Sequence, residues 1–205
     1  MVNKKTRNIA FDAIFLAIII VLTFVPYVGF IPIGPVSLTT ITIPVFIGAY
    51  IFDWKKGLLY GTFFGLASFI RSFMSYVTVV DPIFQNPLIS VLPRALFGLV
   101  TGLVFDLTKK ITNPKLRKGM LPVIIAFTSL IHSILVLLMM GIFHNELFAS
   151  FLLIFGTNGV IEAVFAAIIV PLILLSLQSF IYKEHPELEK QEEKVDRKLK
   201  VTKNV

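Results

Sequence analysis

Apolar residues along this chain fall into six long runs separated by short polar or proline-rich breaks. The runs cover about residues 8–25, 38–53, 57–75, 87–109, 120–142 and 149–182. A helix needs about 20 residues to cross a hydrocarbon core about 30 Å thick, so the pattern predicts an all-α integral membrane protein with six transmembrane helices. Residues 1–182 form the expected membrane domain, and 183–205 a charged, polar cytoplasmic tail, either a solvated helical extension or an unstructured end. The start, "MVNKKTRNIAFDAIFLAIII", has a basic flank and an apolar run. The run is too long for a signal peptide's apolar region, so the sequence predicts a retained first span.

The first external connection, "PYVGFIPIGPVSLTT", is uncharged and carries Pro26, Pro32, Pro35, Gly29 and Gly34. It is too rich in proline for a helix and too apolar for an ordinary solvated loop. Two readings stand: a lid against the outer mouth of the bundle, or a segment lying in the headgroups. Glycines recur every fourth residue in the third span (Gly57, Gly61, Gly65) and again in the fourth (Gly98, Gly102). That spacing puts small residues on one face and lets two backbones approach. Ala13 and Ala17 give the first span a similar small face.

Composition sharpens the class. Of 205 residues 56% are hydrophobic, 20 are Phe and none is Cys, with a mean hydropathy of +0.87. Disulfides and thiol metal ligands are therefore excluded. The net charge of +7 does not mark a nucleic-acid surface, because of where the charge lies. Apart from Arg71 and Arg94, every Lys and Arg precedes the first span, lies between the second and third or the fourth and fifth, or follows the sixth. Basic loops mark the cytoplasmic side, so both termini are expected inside.

Polar residues within the spans carry the candidate chemistry. At 1.5 Å per residue, Arg71 lies about 21 Å from the cytoplasmic start of its span and His132 about 18 Å from that of its own. Arg94 lies about 10 Å, Asn158 about 13 Å and Glu162 about 19 Å below the outer ends of theirs. Arg71, Arg94, His132 and Asn158 thus share one level in the outer half of the membrane, delivered by four helices. Arg71, with Ser68, Ser72 and Ser75 on its face, either snorkels to the headgroups or lines a wet vestibule. Arg94 follows Pro93, which frees a carbonyl one turn back; it faces a ligand cavity or an internal ion pair, for which Glu162 is the available partner. His132, beside Thr128 and Ser129, is a packing histidine or a ligand contact. Asn158 and Glu162 stand i, i+4 beside Gly156 and Gly159, Asn158 as a contact and Glu162 as a structural anchor or arginine partner. Asn86 and Ser90 flank the outer end of the fourth span. Asp12 and Asp106 sit at cytoplasmic ends within reach of lysines. A guanidinium reads carboxylate or phosphate through paired hydrogen bonds, so the cavity reading calls for a small acidic ligand entering from outside.

No phosphate-binding loop of the form GxxxxGK[ST] exists, so the chain does not drive transport with ATP alone. No metal-ligand motif exists either: there is no HExxH, and His144 and His185 fall outside the spans. An intramembrane hydrolase using His132 with Ser68, Ser90 or Glu162 lacks any elbow motif around either serine. A proton-coupled carrier using Glu162 lacks the inverted repeat of secondary transporters.

The stretches "IPIGPVSLTTITIPVFIGAYIFDWKKGLLYGTFFGLASFIRSF", "DPIFQNPLISVLPRALFGLVTGLV" and "TNGVIEAVFAAIIVPLI", with the Ala13-x-x-x-Ala17 face, resemble substrate-binding S components of energy-coupling factor (ECF) vitamin transporters. They look most like the pantothenate-type branch, and the likeness covers roughly residues 8–182. The resemblance implies a binding subunit of the bacterial plasma membrane with no catalytic activity and no cofactor. Its partners would be a transmembrane coupling protein and two cytoplasmic ATPases. Ala13 and Ala17 match the docking face, and the first external loop the gate over the vitamin. Arg94, Asn86, Ser90, His132 and Asn158 match the pocket, and Arg71 is added from its depth. Pantothenate fits the expected chemistry, as does a folate-like or nicotinate-like acid.

Overall fold

A computed structural model describes residues 4–25, 27–33, 36–74, 81–144 and 148–203. Pro26, Gly34, Pro35 and Ser75, named above, lie outside them. The chain is overwhelmingly helical. Helix α1 spans Lys4–Phe24, and strands β1 (Phe30–Ile33) and β2 (Val36–Thr39) follow. Next come α2 (Thr42–Ile51), α3 (Trp54–Met74), a 3-10 turn (Asp81–Gln85), α4 (Pro87–Ser90) and α5 (Leu92–Thr108). The chain ends with α6 (Pro114–Phe143), α7 (Phe148–Ser176), α8 (Gln178–Glu184) and α9 (Pro186–Lys203).

Among the described residues, four helical segments are long and apolar enough to cross a membrane: Thr6–Phe24, Pro87–Thr108, Pro114–Phe143 and Asn158–Ser176. The other two expected spans differ for physical reasons. Helix α2 has only 10 residues, a length of about 15 Å, because the residues before it, Leu38 among them, belong to β2. Helix α3 has 21 residues, but Lys55, Lys56, Arg71 and its glycines and serines make it less apolar. The expected continuous fourth span is broken at Val91 into α4 and α5, where Pro93 cannot donate to the turn before it. The sixth likewise breaks at Leu177, between α7 and α8.

The glycine stripes become the tightest seam of the bundle. A Cβ on Gly57 would lie 2.4 Å from the Gly98 carbonyl oxygen, and one on Gly61 would lie 2.3 Å from that of Arg94. A Cβ on Gly102 would come within 2.4 Å of the Trp54 Cα. Helices α3 and α5 therefore touch backbone to backbone, which only glycine allows. Phe46, Tyr60, Phe64, Phe97 and Phe105 fill the core around this seam.

The first external loop is a β-hairpin. Its strands pair antiparallel, with Phe30 opposite Thr39 and Ile33 opposite Val36. Its base is closed by Thr40 N–H donating to the Gly29 carbonyl (3.0 Å) and Thr40 Oγ1 donating to that of Val28 (2.8 Å). Gly29 is a close approach: a Cβ there would lie 1.8 Å from the Leu22 carbonyl oxygen of α1. At the opposite end, Lys56 pairs with Asp12 and Lys109 with Asp106, as the positions of these aspartates suggested. The tail is helical: Leu188 joins the core, and Lys118 of α6 pairs with Glu192 of α9.

Candidate functional site

The break before α5 creates the first functional feature. Arg94 is buried at 4% exposure. Its Nη1 donates to the carbonyls of Ile89 (3.1 Å) and Ser90 (2.8 Å). The Ile89 carbonyl is the one that Pro93 leaves without a helical donor, so the proline and the arginine form one local device. The guanidinium contacts two aromatic rings, its carbon 5.3 Å from the Phe64 centroid and 4.7 Å from that of Phe84. Cation–π contacts of this kind contribute about 2 kcal/mol when desolvated. Among the described residues, Arg94 has no carboxylate within ion-pair distance. The internal pair with Glu162 weighed from the sequence does not form.

Arg71 does not snorkel. It is 7% exposed, with Nη2 3.8 Å from Asp81 Oδ2 and its guanidinium carbon 4.2 Å from the centroid of Phe30 in the hairpin. Arg71 and Arg94 both line one cleft with a cavity volume of about 50 Å³. Ser68 and Ser72 of α3 join them, with His132 and Ser133 of α6 and Asn158 and Glu162 of α7. The residues estimated from helical rise to share one level thus meet around one space. His132 packs against Phe97 and Phe64, with centroid separations of 4.9 and 6.1 Å. It is a packing histidine on one side and a wall of the cleft on the other.

The hairpin covers this space, contributing Phe30, Ser37 and Thr39. Asn158 Nδ2 donates to the Ser37 carbonyl (3.2 Å), and the Thr39 N–H donates to Glu162 Oε1 (2.7 Å). Glu162 thus holds backbone rather than an arginine, the structural-anchor reading.

Asn86 and Ser90 stand apart from the lining. Asn86 caps α4, its side chain accepting from the Leu88 N–H (3.0 Å), and Ser90 Oγ donates to the Gly65 carbonyl (3.3 Å). Both shape the kinked segment that carries Arg94. Sequence reasoning missed Phe30, Phe84 and Asp81. An acidic residue in an external loop free of lysine and arginine was the available signal for Asp81; the aromatic contacts had none.

The chemistry of the cleft lies in its unpaired polar atoms. Arg94 Nε, Ser68 Oγ, His132 Nδ1 and Asn158 Oδ1 are all buried without a hydrogen-bond partner, and all four residues line the cleft. Leaving such a group unsatisfied costs about 1–3 kcal/mol, so four in one place describe a surface shaped for a polar ligand. One is a cationic donor, one an acceptor, and a hydroxyl and an imidazole nitrogen adapt to either role. Among the described residues, no group of three or more His, Cys, Asp or Glu is placed to hold a metal ion. Ala13 and Ala17 lie far from this chemistry, exposed on α1 among exposed Ile14, Ile18 and Val21.

Comparison with known proteins agrees with this picture. Residues 7–174 match the family model described as ECF transporter, substrate-specific component. A protein of Leuconostoc mesenteroides named pantothenate transporter PanT is 32% identical over 110 residues, covering 52% of this chain and 54% of that one. The Lactococcus lactis subsp. cremoris protein named pantothenic acid transporter PanT is 29% identical over 197 residues, covering 86% of this chain and 96% of its own length. With its apolar helices and its buried polar cleft, the chain belongs to the substrate-specific components of ECF transporters: it is a multi-pass membrane protein, a transport subunit and not an enzyme.

Proposed function

We propose that this chain captures pantothenate at the outer face of the cell membrane and delivers it inward together with an ECF module. That module would comprise a transmembrane coupling protein and two cytoplasmic ATPases. In this reading six helices cross the bilayer with both termini inside, α2 crossing as a short helix completed by the hairpin packed above it.

One observation carries the substrate assignment. Arg94 is a buried cation with no carboxylate partner among the described residues, set beside three further unpaired polar atoms in the same cleft. Arg71 already has Asp81 beside it. Among the described residues that line the cleft, Arg94 is thus the one cation without a carboxylate beside it, which suits a monocarboxylate. The unpaired Asn158 Oδ1 asks for a donor, and Ser68 and His132 accept either polarity. Pantothenate, with one carboxylate, an amide and two hydroxyls, meets this set. The names of the two relatives point the same way.

The test is calorimetric titration of the purified protein with pantothenate, a folate-like acid and a nicotinate-like acid, beside Arg94→Ala. Tight binding of pantothenate alone, weakened at least 100-fold in the variant, is the expected result. Equal binding by the variant would remove Arg94 as the carboxylate anchor. Preference for another acid would keep the capture role and replace the substrate.

A further inference from the structure

Asn158 and Glu162 stand one turn apart on α7 and hold the same strand of the hairpin. Successive residues of a strand alternate sides, so Ser37 and Thr39 share one edge and turn a carbonyl and an N–H toward the two side chains. Among the described residues β2 pairs with β1 alone, and its other edge is the one α7 grips, with Asn158 donating to Ser37 and Glu162 accepting from Thr39.

The two grips differ in what remains free. Glu162 meets the strand through Oε1. Asn158 uses the donor end of its amide on the strand; its Oδ1 is buried without a hydrogen-bond partner, and the residue lines the cleft. We infer that Asn158 and Glu162 form the latch of the lid, with Glu162 as its standing anchor and Asn158 as the positioning residue that ties lid closure to ligand capture. A ligand N–H or O–H donating to Oδ1 fixes the amide plane with its N–H groups directed at Ser37. The ligand then strengthens the grip on the strand that covers it. A carboxylate without a donor at that position occupies Arg94 and adds nothing to the existing bond between Asn158 and Ser37. The ligand half of this inference rests on the cleft being the capture site; the latch itself does not.

Hydrogen exchange on the full-length protein in nanodiscs separates the two. Without ligand, Glu162→Ala should raise exchange at the Thr39 amide about tenfold or more, while α3 and α5 keep their protection. Glu162→Gln, whose amide oxygen still accepts from Thr39, should restore most of it. Unchanged exchange in Glu162→Ala, or equal loss in both variants, overturns the latch. With pantothenate as the probe, Asn158→Ala should speed dissociation about tenfold or more and change association much less. An unchanged dissociation rate overturns the coupling role of Asn158. If pantothenate fails to bind the unsubstituted protein, the substrate assignment falls, and the ligand-free exchange still decides the latch.

Discussion

Arg94 works through its shape as much as its charge. One nitrogen closes two carbonyls at the α4–α5 break, the guanidinium carbon lies near the Phe64 and Phe84 rings, and Nε is left over. A lysine has no plane and a single nitrogen, so it cannot do all three. Arg94→Lys should therefore bind pantothenate about 100-fold more weakly, or about 2.7 kcal/mol, and titration would show it. Retained affinity would mean that charge alone suffices. Much of this residue's setting was legible beforehand. Its proline neighbour announces a freed carbonyl. The aromatic rings were not legible, because Phe84 comes from a 3-10 turn and Phe64 from another helix, and spacing within one element says nothing of either. Glu162 shows the same limit. Its candidate partners in the sequence were arginines, whereas the actual partner is a backbone N–H, which no residue identity advertises.

Among elements, the hairpin and the glycine seam mark opposite ends of legibility. Four-residue glycine spacing led directly to the α3–α5 contact. The hairpin was hidden by the same prolines and glycines that ruled out a helix, since Pro32 lies within β1 and a strand of four residues offers too few positions for alternation to register. The seam makes a sharp contrast between two glycines. Gly61→Ala places a methyl 2.3 Å from the Arg94 carbonyl oxygen and should cost about 1–3 kcal/mol by overpacking. Gly119→Ala meets nothing within 4 Å and should gain up to about 1 kcal/mol from helix propensity. Thermal unfolding in detergent should move the two midpoints in opposite directions. A shared direction would refute the seam as the rigid contact.

For the whole molecule, ligand chemistry and the expected docking face occupy separate regions. The cleft is walled by α3, α5, α6, α7 and the hairpin, whereas Ala13 and Ala17 are exposed on α1. Ala13→Trp should therefore leave pantothenate binding within about twofold of the unsubstituted protein. It should abolish uptake in proteoliposomes that contain the coupling protein and the ATPases. Loss of binding together with uptake would mean that α1 shapes the cleft, and intact uptake would remove this face from docking. The all-α membrane class was open to the sequence at this scale, because run length and composition are one-dimensional. The break at Leu177 and the packing of α9 against α6 were not, since both depend on contacts between distant segments.

The backbone contact between α3 and α5 has one more consequence. Arg71 rides on one of these helices and Arg94 on the other, so the backbone positions from which the two guanidinium groups extend are held apart like the jaws of a locked caliper. Side chains elsewhere in the wall can change through evolution and admit new substrates, but a ligand that touches both jaws must keep one length. Across relatives that retain the glycines at these positions, accepted molecules should vary in bulk and branching more freely than in the distance between their polar ends.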